Sequence, residues 1–340
     1  MSRRVVYFKS WWTNIGNAFI DLGCVYLLDR IAKEKGFDFY VVSSSLLELV
    51  YLQRMFRRKS GFVKRVPLSF RRRIPAFLRR RIKKVFVGDQ YSCVDVSLTT
   101  FNLLEHLDAD YFIFSGMMLD PFIIKINERS FRAASKRGKV VFLSVGGESY
   151  SPEEENYVKK FLRELKPYVL VTRDKTTFDN YRNISYYCYD GIDAGFYVRW
   201  AFRPPRLNID DYIVLCFDKL APPRVPSGYN VIRTHHALRI DLYPELFEKY
   251  LSEDNVFISD NPYDYLIVYS NAREVHSDRV HACVAAMAYG VPCRLYYETK
   301  RAELFRRLNV DPLKTLSKVD EGVLESEMRK QYEFLLEVLV

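Results

Sequence analysis

Residues 4–42, RVVYFKSWWTNIGNAFIDLGCVYLLDRIAKEKGFDFYVV, decide the fold. RVVYF is a β-branched and aromatic run, TNIGN is a polar turn holding one glycine, and the next twenty residues carry apolar side chains at helical spacing as far as Gly36. FDFYVV then returns to strand composition. Strand, turn, helix, strand is a βαβ start and predicts a parallel sheet covered by helices.

The alternation continues along the chain. DYFIFSGMML at 110–119 is a buried strand entering a turn at Gly116, the span 121–137 is helical, and KVVFLSVGG at 139–147 is the next strand. Ser151, Pro152 and Glu154 occupy the N-cap, first and third positions of a helix that runs to about Leu165. YVLVTRD at 168–174 is a strand with polar residues at its end, and FRPPR at 202–206 breaks all periodicity. The domain boundary falls there, giving an N-terminal α/β domain at 1–203 with a basic insertion at 54–84, and a C-terminal α/β domain at 204–340. In the second half YIVLCF (212–217), YNVIRT (229–234), YDYLIVY (263–269) and CRLYYE (293–298) take the strand places, with helices near 242–251, 280–289 and 321–340. The last helix packs on a domain face or recrosses to the first domain. Two stacked α/β domains with a cleft between them are expected.

Bulk properties agree. A chain of 340 residues, 49% apolar and 28% charged, holds enough material for two buried cores and excludes disorder. No run of about 18 apolar residues and no signal-like N-terminus is present, so a cytoplasmic protein is expected. The six cysteines, Cys24, Cys93, Cys188, Cys216, Cys283 and Cys293, stand singly, as small core residues do in a reducing compartment. The formal charge of +10 is local: 14 Lys and Arg and no acid lie between positions 54 and 84, which leaves 10 − 14 = −4 for the rest. From Phe70 onward, Phe70, Ile74, Phe77, Leu78, Ile82 and Val85 form one apolar stripe among arginines. This pattern suits an interfacial helix on anionic lipid, which would place the protein peripherally on the inner face of the membrane; a plain solvated helix face explains it equally. No nucleic-acid motif accompanies the charge, and no nucleic-acid partner is expected.

One stretch carries chemistry. In HSDRVHACVAAMAYGVP, 276–292, the alanines predict a tightly packed helix with Ser277 at the N-cap position and Arg279 and His281 in its first turn. A helix N-terminus presents free N–H groups and partial positive charge, and an arginine there adds a bidentate clamp for phosphate or carboxylate. A surface cap partner and a satisfied buried imidazole account for the same two residues. His235 and His236 are adjacent and point opposite ways on a strand, and His276 and His281 are five apart, so no metal site is expected.

The stretch 276–300 resembles the C-terminal signature of the polysaccharide pyruvyl transferase family through Arg279, His281, Gly290, Pro292, Tyr297 and Lys300. In the same order upstream, NIGN at 14–17 is similar to the family's Asn-x-Gly-Asp turn, and SGMML at 115–119 stands where a Gly-Gly-Gly strand end is usual. VTRDKTTFDNYRN at 171–183 resembles the VRDxxS segment, and GIDAGFY at 191–197 corresponds to the Asp-Pro-Ala-Phe element. Asn17 replaces the expected Asp, Gly116 stands alone, and Val280 replaces Leu. The resemblance implies an α/β fold of two Rossmann-like domains facing each other across a cleft, GT-B-like. It implies phosphoenolpyruvate as donor with no further cofactor, a sugar diol of a cell-surface or lipid-linked polysaccharide as acceptor, and a pyruvate ketal and phosphate as products.

The roles that follow are catalytic for His281, Arg279 and Arg173. Arg173, Arg279, Ser277, His281 and Lys300 are assigned to the donor, and Asn14, Asn17, Gly116 and Asp193 to the acceptor. Asp174 either orients Arg173 or caps the following helix, and a turn role for Asp193 is as natural as a binding one. Two other functions suit the same pattern: a glycosyltransferase using a nucleotide sugar, and a non-catalytic protein that binds a membrane or polyanion.

Overall fold

The computed structural model describes residues 2–10, 14–43, 102–225, 227–236, 248, 250 and 252–340. Met1–Ser44 and Leu104–Val340 pack as one unit, and the contacts given below lie inside it. The basic segment 54–84 and most of the helix expected near 242–251 lie outside the described residues.

The opening stretch forms β1 (Arg4–Lys9), α1 (Ile15–Lys35) and β2 (Asp38–Ser43). β1 and β2 are parallel, in register from Arg4 opposite Asp38 to Lys9 opposite Ser43. Next come β3 (Tyr111–Ser115), α2 (Pro121–Arg137), β4 (Lys139–Val145), α3 (Pro152–Leu165), β5 (Val169–Thr172), α4 (Lys175–Tyr181) and β6 (Tyr187–Asp190). Ser151 caps α3 by accepting from the Glu154 N–H at 3.2 Å. Glu154 does not complete the reciprocal box; its carboxylate accepts from the N–H groups of Glu148, Ser149 and Tyr150 and so fixes the loop before the helix.

A 3₁₀ turn (Ala194–Tyr197) and a short α5 (Val198–Ala201) lead to β7 (Tyr212–Cys216), β8 (Asn230–Thr234) and β9 (Val256–Phe257). The strand expected at 263–269 is instead part of a helix, α6 (Pro262–Ser270). Asn261 caps it by accepting from the Tyr263 N–H, and Pro262 sits at the first position, a start signal that overrides the strand-like composition. The strand in that place is the four-residue β10 (Glu274–Ser277), followed by α7 (Val280–Ala288), β11 (Cys293–Leu295), a 3₁₀ segment (Lys300–Leu308) and α8 (Glu321–Val338).

The strands form two sheets, ordered β2-β1-β3-β4-β5-β6 and β11-β10-β7-β8-β9, and each pairing is parallel. The first is the flavodoxin-like order. The second, taken from its other edge, is the 3-2-1-4-5 order of dinucleotide-binding sheets. Strand order reverses at β1/β3 in one and at β7/β10 in the other, and such sheets bind ligands beyond the carboxyl ends at these points.

One hydrophobic core joins both sheets, running from Tyr7 and Ile113 through α1 to Val214, Val275 and α7. All nine residues of α7 are buried, which accounts for its alanine content: larger side chains would hold it off its neighbours. Gly23 on α1 serves the same close packing, since a Cβ there would stand 1.9 Å from the Ala194 carbonyl oxygen. α8 recrosses to the first half, where the Gln331 side-chain oxygen accepts from the Ile192 N–H at 2.8 Å and the Tyr197 hydroxyl donates to the Met328 carbonyl at 2.6 Å. Cys24, Cys216, Cys283 and Cys293 are buried free thiols in this core.

Candidate functional site

Both switch points deliver side chains to one place. Asn14, after β1, caps α1 by accepting from the Gly16 N–H at 3.1 Å, and the same oxygen lies 3.5 Å from an Arg279 terminal nitrogen. The Ile15 N–H donates to the His236 carbonyl at 3.1 Å, so the start of α1 is tied to the end of β8. Gly16 is required by proximity: a Cβ there would lie 2.9 Å from the His281 Cβ and 3.2 Å from its Nδ1. Asn17 is half-buried in the first turn of α1.

Asp193 is the centre of the first cluster. It is fully buried, and its Oδ2 accepts from Arg173 Nη1 at 3.1 Å and from His281 Nε2 at 3.3 Å, while its Oδ1 accepts from the Gly195 N–H at 2.8 Å. Burial pushes this carboxyl up, but His281, Arg173 and the Gly195 N–H outweigh it and hold it well below the usual carboxylate range. His281 moves down, chiefly because burial disfavours its cation, with Arg301 and Arg173 adding repulsion against the attraction of Asp193. Its Nε2–H points to Asp193, which leaves Nδ1 as the nitrogen able to exchange a proton.

Arg173 is only 2% exposed and also donates to the Gly116 carbonyl at 3.3 Å. Gly116 adopts φ +59°, and a Cβ there would come within 2.6 Å of Ile20, so glycine is needed for the turn that holds the arginine. Asp174 is a helix cap, accepting from the Thr177 N–H at 2.7 Å.

The second cluster centres on Asp218, after β7. Its Oδ2 lies 3.0 Å from Arg279 Nε and its Oδ1 lies 3.1 Å from His235 Nδ1. Burial raises this carboxyl, and His235 and Arg279 more than reverse the effect, so it stays ionised. Asp278, beside Arg279, accepts from the N–H groups of Asp218, Lys219 and Leu220 at 3.1, 2.5 and 2.8 Å, and so fixes the loop that carries Asp218.

One sequence-based placement changes. Arg279, not Ser277, occupies the N-cap of α7; Ser277 Oγ donates to the Cys216 carbonyl and accepts from the Arg279 N–H at 2.8 Å, shaping the turn from within the core. Lys300 is exposed and donates to the Ser149 carbonyl at 2.8 Å. Its neighbour Arg301 lies within electrostatic range of Arg173, Arg279 and Asp193: burial and then Arg173 push it down to about 10, with Arg279 adding to the effect. Lys219 is also shifted down, by burial first and then by Arg279 and Arg301. Arg301, Lys219, Asp218 and Asp278 were not singled out from the sequence. Among the described residues the buried Arg173 Nη2 and Arg301 Nε have no hydrogen-bond partner, and no group of three or more His, Cys, Asp or Glu is placed to hold a metal ion.

Two Rossmann-like parallel sheets whose carboxyl ends meet at a cluster of arginines and histidine define a GT-B-like α/β architecture. The chain belongs to the polysaccharide pyruvyl transferase family, whose model matches residues 14–298. Among solved structures it is similar to the S. aureus MnaA–UDP co-structure, with 13% identity, 99% of this chain and 91% of that chain covered, and a TM-score of 0.51. The UDP-GlcNAc 2-epimerase of Neisseria meningitidis bound to UDP-GlcNAc also aligns, with 13% identity, coverage of 99% and 94%, and a TM-score of 0.49. The first of these likenesses speaks for the fold alone. No curated protein matches the chain significantly.

Proposed function

We propose that this chain transfers a pyruvyl group from phosphoenolpyruvate to a sugar diol of a cell-surface or lipid-linked polysaccharide, leaving a pyruvate ketal and phosphate. The observation that carries the reading is the pair of buried arginine nitrogens without partners, Arg173 Nη2 and Arg301 Nε, in a site where burial, Arg173 and Arg279 together disfavour the Arg301 cation. Buried cations in such surplus are costly until an anion joins them. A small donor with a phosphate at one end and a carboxylate at the other matches Arg173, Arg279 and Arg301 better than a single anionic group would.

The chemistry balances with the residues present. Burial holds His281 towards neutrality; the negative donor favours its cation, which protonates the methylene carbon of the donor to a methyl group. Positive character builds on the adjacent carbon, and the first sugar hydroxyl bonds there while His281 Nδ1 takes its proton. The second hydroxyl then displaces phosphate: its oxygen bonds to the same carbon, the carbon–phosphate-oxygen bond breaks, and its proton leaves with the phosphate. Asp193 keeps Nε2 engaged throughout, which sets the tautomer.

Thermal stabilisation tests the donor. Phosphoenolpyruvate raises the melting temperature of the wild type and not of Arg279→Gln. Stabilisation by a nucleotide sugar and not by phosphoenolpyruvate would transfer the site to the glycosyltransferase reading, and stabilisation by neither would favour a non-catalytic role. The 14 cations of segment 54–84 suit a lipid-linked acceptor presented at an anionic membrane surface. Vesicle co-sedimentation lost on deleting 54–84 supports that partner, and unchanged sedimentation removes it. Among the described residues no helix is long and apolar enough to cross a membrane.

A further inference from the structure

His235 belongs to neither motif of the sequence, yet it stands in a series of polar contacts, two hydrogen bonds and one ion pair, that ends on Arg279. Arg279 Nε meets Asp218 Oδ2 at 3.0 Å, Asp218 Oδ1 meets His235 Nδ1 at 3.1 Å, and His235 Nε2 meets Glu253 Oε2 at 3.2 Å. The imidazole is 2% exposed and lies flat on Tyr250, with ring centroids 3.7 Å apart and planes 17° from parallel. Its own backbone neighbour reinforces the arrangement, because the His236 N–H donates to Asp218 Oδ2 at 3.3 Å.

We infer that His235 is a positioning residue for Arg279, acting through Asp218, and that Glu253 and Tyr250 hold its ring in place. The reason is geometric. An arginine side chain has four rotatable bonds, and the Arg279 side chain is 18% exposed, so it is not fixed by packing alone. Asp218 fixes the guanidinium through Nε and leaves its terminal nitrogens for other partners, one of which lies 3.5 Å from Asn14 Oδ1. The His236 N–H holds the oxygen that faces Arg279, and His235 anchors the other, which fixes the plane of the carboxylate. The ring is oriented in turn from its far nitrogen and from its face, so two adjacent histidines do unrelated work: the ring of His236 turns the other way and meets the Tyr269 hydroxyl at 2.7 Å. The arrangement places a network behind an anion-binding arginine, as is found behind metal-ligating histidines, where the supporting group tunes a contact that it never makes.

The inference rests on Arg279 contacting the anionic donor, and a calorimetric titration with two probes, phosphoenolpyruvate and inorganic phosphate, separates the two claims. His235→Phe keeps a ring to stack on Tyr250 and deletes both hydrogen bonds; it is expected to weaken binding about tenfold. Combined with Arg279→Gln it is expected to add no more than about twofold to the loss of Arg279→Gln alone, since a group acting only through Arg279 has nothing left to act on. Glu253→Gln, which keeps a polar partner at a less buried position, gives a smaller loss in the same direction and serves as the second variant if His235→Phe misfolds. Unchanged affinity in a folded His235→Phe, or losses in the double variant that multiply, would overturn the positioning role. A wild type that binds phosphate and not phosphoenolpyruvate would refute the donor reading while the same variants, titrated with phosphate, still decide the role of His235. Binding of neither probe refutes both.

Discussion

Two buried aspartates in this molecule do the same job on opposite sides of the site. Asp193, beyond the first sheet, accepts from Arg173 and His281; Asp218, beyond the second sheet, pairs with the Arg279 cation and accepts from His235. Each therefore holds one arginine and one histidine. They differ in where their partners come from and in how much solvent reaches them. Asp193 ties a residue of the first half, Arg173, to one of the second, His281, and all three are nearly or fully buried. Asp218 draws both partners from its own half, and its arginine retains 18% side-chain exposure. The first is a joint that sets the two sheets' contributions against each other, and the second is a bracket that aims one arginine.

That contrast predicts unequal responses to the same deletion. Asp193→Ala strands a buried arginine and leaves His281 without its orienting partner, and is expected to cost about 3–5 kcal/mol in urea unfolding. Asp218→Ala leaves an arginine that can reach water, so its cost is expected to be about 1–3 kcal/mol, with the larger effect on donor affinity. Equal costs for the two would dissolve the distinction between joint and bracket. Gly16→Ala probes the joint from the other side: a methyl group 2.9 Å from the His281 Cβ must displace that ring, and donor binding should fall about tenfold with a stability loss of about 1–2 kcal/mol. A variant with wild-type affinity would show that the ring's place is not set by this contact.

An effect visible only on acidification concerns His236, whose carbonyl anchors α1 and whose ring is buried. Burial, assisted by Arg279, pushes this imidazole down to about 3 from an ordinary 6.5. A histidine kept neutral in the fold and free to take a proton when unfolded contributes stability that is complete above pH 6.5. That contribution declines as the pH falls from 6.5 towards 3, at a slope of up to about 1.4 kcal/mol per pH unit. His236→Phe should flatten the fall in urea midpoint between pH 6.5 and about 4.5, and an unchanged slope would assign the acid sensitivity to other groups.

Much of the fold could be read from the chain because strand, glycine turn and capped helix recur with strong local signals: 4–42, the cap at Ser151 and the alanine-rich α7 all fold as their composition dictates. The run YDYLIVY misleads because its β-branched and aromatic residues suit a strand, while Asn261 and Pro262 just before it encode a helix start that decides the outcome. At the site, Asn14, Arg173, Asp193, Arg279 and His281 were each visible and do converge. What no pattern in the chain revealed was which of two neighbouring cations is the more buried: Lys300 and Arg301 are alike in sequence, and in the 3₁₀ segment that Thr299 caps the first is exposed and the second partly buried. Asp218 escaped notice for a related reason, and His235 was read only as half of an adjacent pair unsuited to a metal, since Arg279, which gives both their meaning, lies far away in sequence. Ser277 was read as a cap because it is the right residue type two positions too early.

A crystal structure with phosphoenolpyruvate bound tests the central claim most directly. The account predicts the ligand at the carboxyl ends of both sheets, with Arg173, Arg279 and Arg301 within hydrogen-bond distance of its phosphate and carboxylate oxygens and His281 Nδ1 facing the methylene carbon. Phosphoenolpyruvate bound away from these residues, or a nucleotide diphosphate held by the same three arginines while phosphoenolpyruvate is refused, would contradict it.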